Sequence, residues 1–135
     1  MKFLFIFLLF LSWTWQGQTV DPVKEVALDE EFTIKFGQQV EVKDANLRIT
    51  FTTVEEDSRC PIDAVCVWVG NVKLNLEVKR SKKKFVSSPI NTTLEPKEIV
   101  YKGYRIKLIG VKPERRAGIP IAPADYEATL VVSSK

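Results

Sequence analysis

Cys60 and Cys66 are the only cysteines in the chain. The stretch around them, Asp57-Ser58-Arg59-Cys60-Pro61-Ile62-Asp63-Ala64-Val65-Cys66-Val67-Trp68-Val69-Gly70-Asn71, concentrates the residue types that could do chemistry. Sulfurs so close in sequence can only brace a local loop. By the chain-entropy relation such a ring stabilises a fold by roughly 2–3 kcal/mol, and Pro61 restricts it further. Trp68 is expected to pack its ring against the loop base or the sheet. The spacing is not Cys-x-x-Cys and only Arg59 lies near enough to lower a thiol pKa, so the pair is read as a staple ahead of a redox couple.

Other chemistries compete for the same residues. A rigid loop carrying Arg59, with Pro61, Asp63 and Trp68 beside it, has the form of a contact loop. Bracing lowers the ordering entropy of binding, and the basic residue would suit a trypsin-like protease as an inhibitory loop. Glu55, Glu56, Asp57 and Asp63 could gather oxygens for calcium, although no spacing matches an EF-hand. Two of those carboxylates could also serve a glycosidase. Elsewhere, Lys79, Arg80, Lys82, Lys83 and Lys84 form the densest charge run, either a solvated hairpin tip that discourages edge pairing or a patch for an anionic surface. Arg115 and Arg116 would extend that patch if the fold brought them together. Asn91-Thr92-Thr93 has the form of a glycosylation acceptor. Tyr101, Tyr104 and Tyr126 could form an aromatic surface for sugars, but their phase favours core packing.

Composition narrows the field. The chain has 135 residues and a formal charge of +3, too small and too evenly spread for nucleic-acid binding. It has no histidine, which removes Ser-His and Cys-His dyads and imidazole metal ligands. Two cysteines are too few for a closed zinc site. No cofactor is implied, and a non-enzymatic role leads.

The elements that must hold the loop are strands. Leu47, Ile49 and Phe51 alternate with polar residues, in a strand running to about Glu55, and Val72, Leu74, Leu76 and Val78 alternate with Lys73, Asn75, Glu77 and Lys79. This period of two is that of half-buried strands. Phe32–Phe36 is another, with Val40-Glu41-Val42 as its short partner, and residues 20–29 are a loose lead-in. Ser87 to Pro96, with two prolines, is a loop or weak edge strand. Glu98–Tyr101 and Tyr104–Leu108 form a hairpin about Lys102-Gly103, followed by a phase slip that predicts a bulge at Gly110. Three prolines and one glycine mark Pro113–Pro123 as a structured connection, and Tyr126, Ala128, Leu130 and Val132 define the last strand. Seven to nine short strands with polar turns predict an all-β fold, an antiparallel β-sandwich or small barrel with one local disulfide.

Lys2 followed by the apolar run Phe3–Leu11 reads as an export signal, too short for the roughly 20 residues of a membrane span. The expected division is a leader over residues 1–18, cleaved between positions 14 and 19, and a single β domain over 19–135. The mature chain is expected to be soluble and periplasmic or extracellular, where a disulfide persists.

The strings Glu56-Asp57-Ser58-Arg59-Cys60-Pro61, Val65-Cys66-Val67-Trp68 and Gly70-Asn71 resemble a family of small secreted bacterial proteins with no assigned activity. Tyr104–Leu108, Pro120, Pro123 and Asp125-Tyr126 are similar to the same family, so the resemblance covers about residues 32–132. Where such proteins often carry Ala before the glycine, this chain has Val69. The resemblance implies export and brings no catalytic residues. The expected role is an exported binding or structural-interaction module of the cell envelope or extracellular space. Its partner would be a protein or an anionic envelope surface; a protease inhibitor is the first alternative and a calcium-binding module the next.

Overall fold

The alternation of apolar residues along Leu47–Asp57 and Val72–Arg80 produces two long strands that pair antiparallel, and the other elements are laid against them. The computed structural model describes Gly17 and residues 22–135; the rest of the expected leader lies outside the described residues. In chain order the strands are β1 (Lys24–Val26), β2 (Glu31–Lys35), β3 (Gln39–Val42), β4 (Leu47–Asp57), β5 (Val72–Arg80), β6 (Val86–Asn91), β7 (Glu98–Tyr101), β8 (Tyr104–Lys112) and β9 (Glu127–Ser134). They form a five-stranded sheet in the order β1-β3-β4-β5-β6 and a four-stranded sheet in the order β2-β9-β8-β7. The expected all-β sandwich is present.

One core lies between the sheets. Leu47, Ile49 and Phe51 of β4 and Val72, Leu74, Leu76 and Val78 of β5 meet Ile34 of β2, Ile106 of β8 and Ala128, Leu130 and Val132 of β9, all fully buried. Each such side chain stabilises by roughly 1.5–3 kcal/mol before entropy is subtracted.

The turns follow their residues. Lys102 and Gly103 both take positive φ (48° and 85°), as a two-residue hairpin turn requires. The register slips between Leu108 and Gly110, which is the bulge the phase change predicts. Pro89 sits on β6, an edge strand with only β5 as partner, where a missing N–H costs no ladder bond.

Three expectations need correction. Residues 24–26 are not loose: they pair parallel with β3, Lys24 opposite Val40 and Val26 opposite Val42. Three residues are too few to show a period, and burial of Val26 decides the outcome. Nor are β2 and β3 partners. β2 pairs with β9 and β3 with β4, because Gly37 (φ 77°) carries the chain from one sheet to the other. Periodicity identifies a strand's inner face but not its neighbour. Finally, β4 runs past Glu55 to Asp57 through two register shifts, between Phe51 and Thr53 and between Val54 and Glu56.

Candidate functional site

Residues 58–71 leave β4 and return to β5 through a closed neck. Ser58 N–H donates to the Asn71 carbonyl (2.8 Å), and Asn71 N–H donates to Ser58 Oγ (3.0 Å). Gly70 lies directly against Arg59: a Cβ on it would overlap Arg59 Cα and sit 2.5 Å from Ser58 O. The side chain of Asn71 is buried and fully used. Its Nδ2 donates to Asn91 Oδ1 (2.9 Å), while its Oδ1 accepts from the backbone N–H groups of Thr93 (3.0 Å) and Leu94 (3.3 Å). Thr93 Oγ1 donates to the Gly70 carbonyl (2.7 Å). These bonds lace the β6–β7 loop to the neck, and a buried amide pair is tolerable only when satisfied in this way. Asn91 is therefore no glycan acceptor, since it is buried and its Nδ2 donates to the Pro96 carbonyl.

A second set of bonds holds the side facing β8 and β9. Arg59 Nε donates to Asp57 Oδ1 (2.9 Å) and Nη2 to Oδ2 (2.7 Å), a bidentate pair. The same guanidinium donates to the carbonyls of Val111 (2.9 Å) and Pro113 (3.0 Å). Tyr126 OH donates to Asp57 Oδ2 (2.9 Å) from just before β9. Burial disfavours the Asp57 carboxylate, but the hydrogen bonds from Arg59 and Tyr126 outweigh it and hold its pKa below the ordinary value. The hydrogen bond to Asp57 raises the Arg59 pKa against burial. Burial first, and then the bond to Asp57, push Tyr126 up to about 12. The Arg59 side chain is 19% exposed; expected at the tip of an inhibitory loop, it lies in the brace beneath one. Arg115 Nη1 donates to Arg59 O, Ile62 N–H to Arg115 O, and Ala117 N–H to Asp63 Oδ1. Residues 113–119 thus flank the ring.

Above this base the Cys60–Cys66 disulfide closes, with Cα atoms 5.9 Å apart. Pro61 starts a turn in which Ala64 N–H donates to its carbonyl. What the ring presents is apolar. Val65 and Val67 are wholly exposed (101% and 100%), followed by Val69 (82%), Trp68 (58%) and Ile62 (51%). Leu94 and Ile119, on the two loops bonded to this region, are exposed as well. Trp68 departs from the expected packing: its Nε1–H donates to Ser58 O (3.2 Å) and more than half of it stays in solvent. Among the described residues, the backbone groups of Val65–Val69 make no hydrogen bond to one another or to a neighbouring segment.

The remaining candidates do not assemble. Glu55 takes Lys73 (2.8 Å) and Asn75 as partners, and those bonds, Lys73 first, lower its pKa. Glu56 is exposed, Asp57 is committed to Arg59, and Asp63 caps Ala117. Three of the four acidic residues thus point to different partners, the fourth is exposed, and no cluster of metal-binding side chains occurs among the described residues. The calcium reading and the paired-carboxylate reading lose their geometric basis. The cationic run sits at the other end of the sandwich, where Arg80 pairs with Leu47 while Asp57 pairs with Val72. Lys79 Nζ lies 4.5 Å from the Phe85 ring centroid and Arg80 Cζ 5.9 Å from that of Tyr104, leaving Lys82, Lys83 and Lys84 on the exposed turn. Arg115 and Arg116 belong to the cysteine end and do not extend it. Tyr126 is buried, and Tyr101 and Tyr104 pack against the core, so the three form no sugar platform.

Sequence reasoning located the ring and missed what it displays. Val65, Val67 and Val69 alternate as a buried strand would, and only the glycine and asparagine that follow hint that the core begins at Val72. The bonds that make anchors of Asn71, Asn91 and Tyr126 carried no signal in the sequence, since their partners lie 20 to 69 residues away.

No protein-family model, no curated protein and no solved structure matches the chain.

Proposed function

We propose that the protein is an exported binding module, with no chemical step of its own, that engages the cell envelope or a partner there through the disulfide-braced tip at Ile62–Val69. One observation carries this reading: five large apolar side chains stand in solvent on a loop whose base is tied down by three separate hydrogen-bonded groups. A loop that merely linked β4 to β5 would have no reason to hold so many apolar side chains away from the core. Exposed apolar surface of this kind marks contact sites. The tied base and the disulfide limit the backbone freedom that binding would have to remove. No helix among the described residues is long and apolar enough to cross a membrane. An inhibitory loop is the weaker reading, because Arg59 is engaged below the ring.

The test is fractionation of the cell that makes the protein. Wild type is expected to stay with the envelope, and the combined variant Val65→Ser, Val67→Ser and Val69→Ser is expected to be shed into the surrounding fluid. These valines touch little of the domain, so the variant should unfold at the wild-type temperature. Equal retention of both proteins would defeat the proposal.

A further inference from the structure

Independently of the tip, we infer that the opposite end of the β4–β5 pair carries a site for a phosphoryl group, formed by Asn46, Arg48, Lys79, Ser81 and Lys82. Cross-strand register is the first reason. Charges that stand directly opposite one another are of opposite sign at Glu41–Arg48, Glu56–Lys73, Glu98–Lys107, Lys35–Glu127 and Lys112–Glu127. Between β4 and β5, however, Arg48 stands directly opposite Lys79. Like charges so placed destabilise a sheet, and an anion held between them replaces the repulsion with two attractions. The other like pair, Glu25 opposite Glu41, already has a cation beside it, because Arg48 Nε lies 3.4 Å from Glu41 Oε2.

The donors that meet here are unspent. The five side chains line one concavity of about 330 Å³, within the roughly 300–1,000 Å³ of small-ligand sites. Its floor is fixed. Asn46 and Ser81 both take positive φ (54° and 53°), and Ser81 N–H donates to the Asn46 carbonyl (3.1 Å), tying the β3–β4 turn to the β5–β6 turn. Arg48 engages Glu41 through Nε, which leaves both Nη groups, and Lys79 Nζ rests 4.5 Å from the Phe85 ring centroid. Neither those groups nor the Lys82 ammonium, the Ser81 hydroxyl or the Asn46 amide makes a hydrogen bond to another side chain among the described residues.

Charge is the second reason. Segments 41–48 and 77–84 carry seven cations against Glu41, Asp44 and Glu77, and Glu25 on β1 adds a fourth acid. None of the four lines the concavity. Glu25, Glu41 and Asp44 line a neighbouring hollow instead, and Glu77 lies one row along β5, opposite Thr50. Three cations with a hydroxyl and an amide offer more donors than the two oxygens of a carboxylate can use. A phosphoryl group brings three acceptor oxygens and a charge of about −1.5 to −2 at neutral pH, and charge-assisted bonds to it are the strong ones.

The protein is titrated at about pH 7.5, where the phosphoryl group is mostly dianionic, with inorganic phosphate, phenyl phosphate and acetate at constant ionic strength. Binding is read by calorimetry and by the melting temperature. Phosphate is expected to bind saturably, and acetate at least about 10-fold more weakly. Arg48→Gln and Lys79→Gln should each weaken phosphate binding at least about 10-fold, the loss of one charge-assisted bond. Lys83→Gln, outside the concavity, should change it by no more than about 2-fold. All three substitutions lie on exposed or half-buried surface and should melt within about 3 °C of wild type in chloride buffer, so a binding loss is not a folding loss. Phenyl phosphate bound as well as the free ion identifies an esterified phosphoryl ligand, and a preference for inorganic phosphate identifies the free ion; both uphold the site. Absence of saturable phosphate binding overturns the inference. So does acetate binding equal to phosphate, or a loss at Lys83→Gln as large as at Arg48→Gln, which is the mark of a diffuse cationic field.

Discussion

Replacing Gly70 by alanine is a sharp probe of how the apolar tip is held. Gly70 has no need of a positive φ; its constraint is space, because a methyl there would overlap Arg59 Cα and approach Ser58 O at 2.5 Å and Arg59 N at 2.8 Å. All three obstacles are backbone, so no side chain can swing aside. Relief requires the two arms of the neck to part, which strains the Ser58–Asn71 bonds and pulls Arg59 from its bidentate seat on Asp57. Overpacking of this kind costs about 1–3 kcal/mol, and with backbone on every side the upper end applies. For a domain of this size about 3 kcal/mol corresponds to a fall of roughly 12 °C in melting temperature. Gly110→Ala is the control, since a Cβ there meets nothing within 4 Å, and it should change stability by no more than about 0.5 kcal/mol. Thermal and urea unfolding of both variants gives the comparison. If Gly70→Ala melts with wild type, the neck is not closed as described and the rigidity claimed for the tip has no foundation.

The brace should be titratable. Asp57→Ala strands a largely buried guanidinium and should cost about 3–5 kcal/mol, whereas Tyr126→Phe removes one bond to a charged acceptor and should cost about 1.5–3 kcal/mol, both readable by urea unfolding. Because Asp57 has a folded pKa below its ordinary 3.8, its contribution is fully present above that value and lost as pH falls beneath it. Tyr126, pushed from 10.0 up to about 12, contributes fully below pH 10 and ceases to as pH climbs toward 12. Tyr126→Phe should abolish the alkaline loss specific to this group, and a variant with unchanged alkaline unfolding would contradict the assignment. Cys60→Ser with Cys66→Ser should lower stability by roughly 2–3 kcal/mol while the near-ultraviolet signature of the core persists; global unfolding would show that the ring is needed for the fold. Calcium should leave the melting temperature unchanged, and a rise would restore the acidic-site reading.

Period-two alternation revealed β4, β5 and β9 because each buries one face, and the Lys102-Gly103 and Gly110 signals worked because turn and bulge chemistry is local. Partnering was not legible. Phe32–Phe36 and Val40–Val42 look like a hairpin in one dimension, yet each finds its partner across a different sheet, decided by where Gly37 turns the chain. The site divided in the same way. The cysteine spacing announced a braced loop, but Arg59 looked like an offering to a partner until the carbonyls of Val111 and Pro113, far along the chain, were seen to accept from it. The valines failed for the opposite reason. Alternating apolar residues signal burial everywhere else in this chain, and only tertiary structure shows that Val65, Val67 and Val69 have nothing to be buried against.

The β4–β5 pair has a consequence beyond packing. The apolar ring precedes β5 and the lysine turn at Lys82–Lys84, which leads on to β6, follows it, and the nine residues of β5 set them about 30 Å apart. The two ends therefore present different surfaces, exposed valines at one and exposed lysines at the other, held a fixed distance apart. The same strand that buries the core thus also fixes a spacing, and lengthening or shortening it by two residues would change that spacing by about 7 Å while keeping every side chain on its own face.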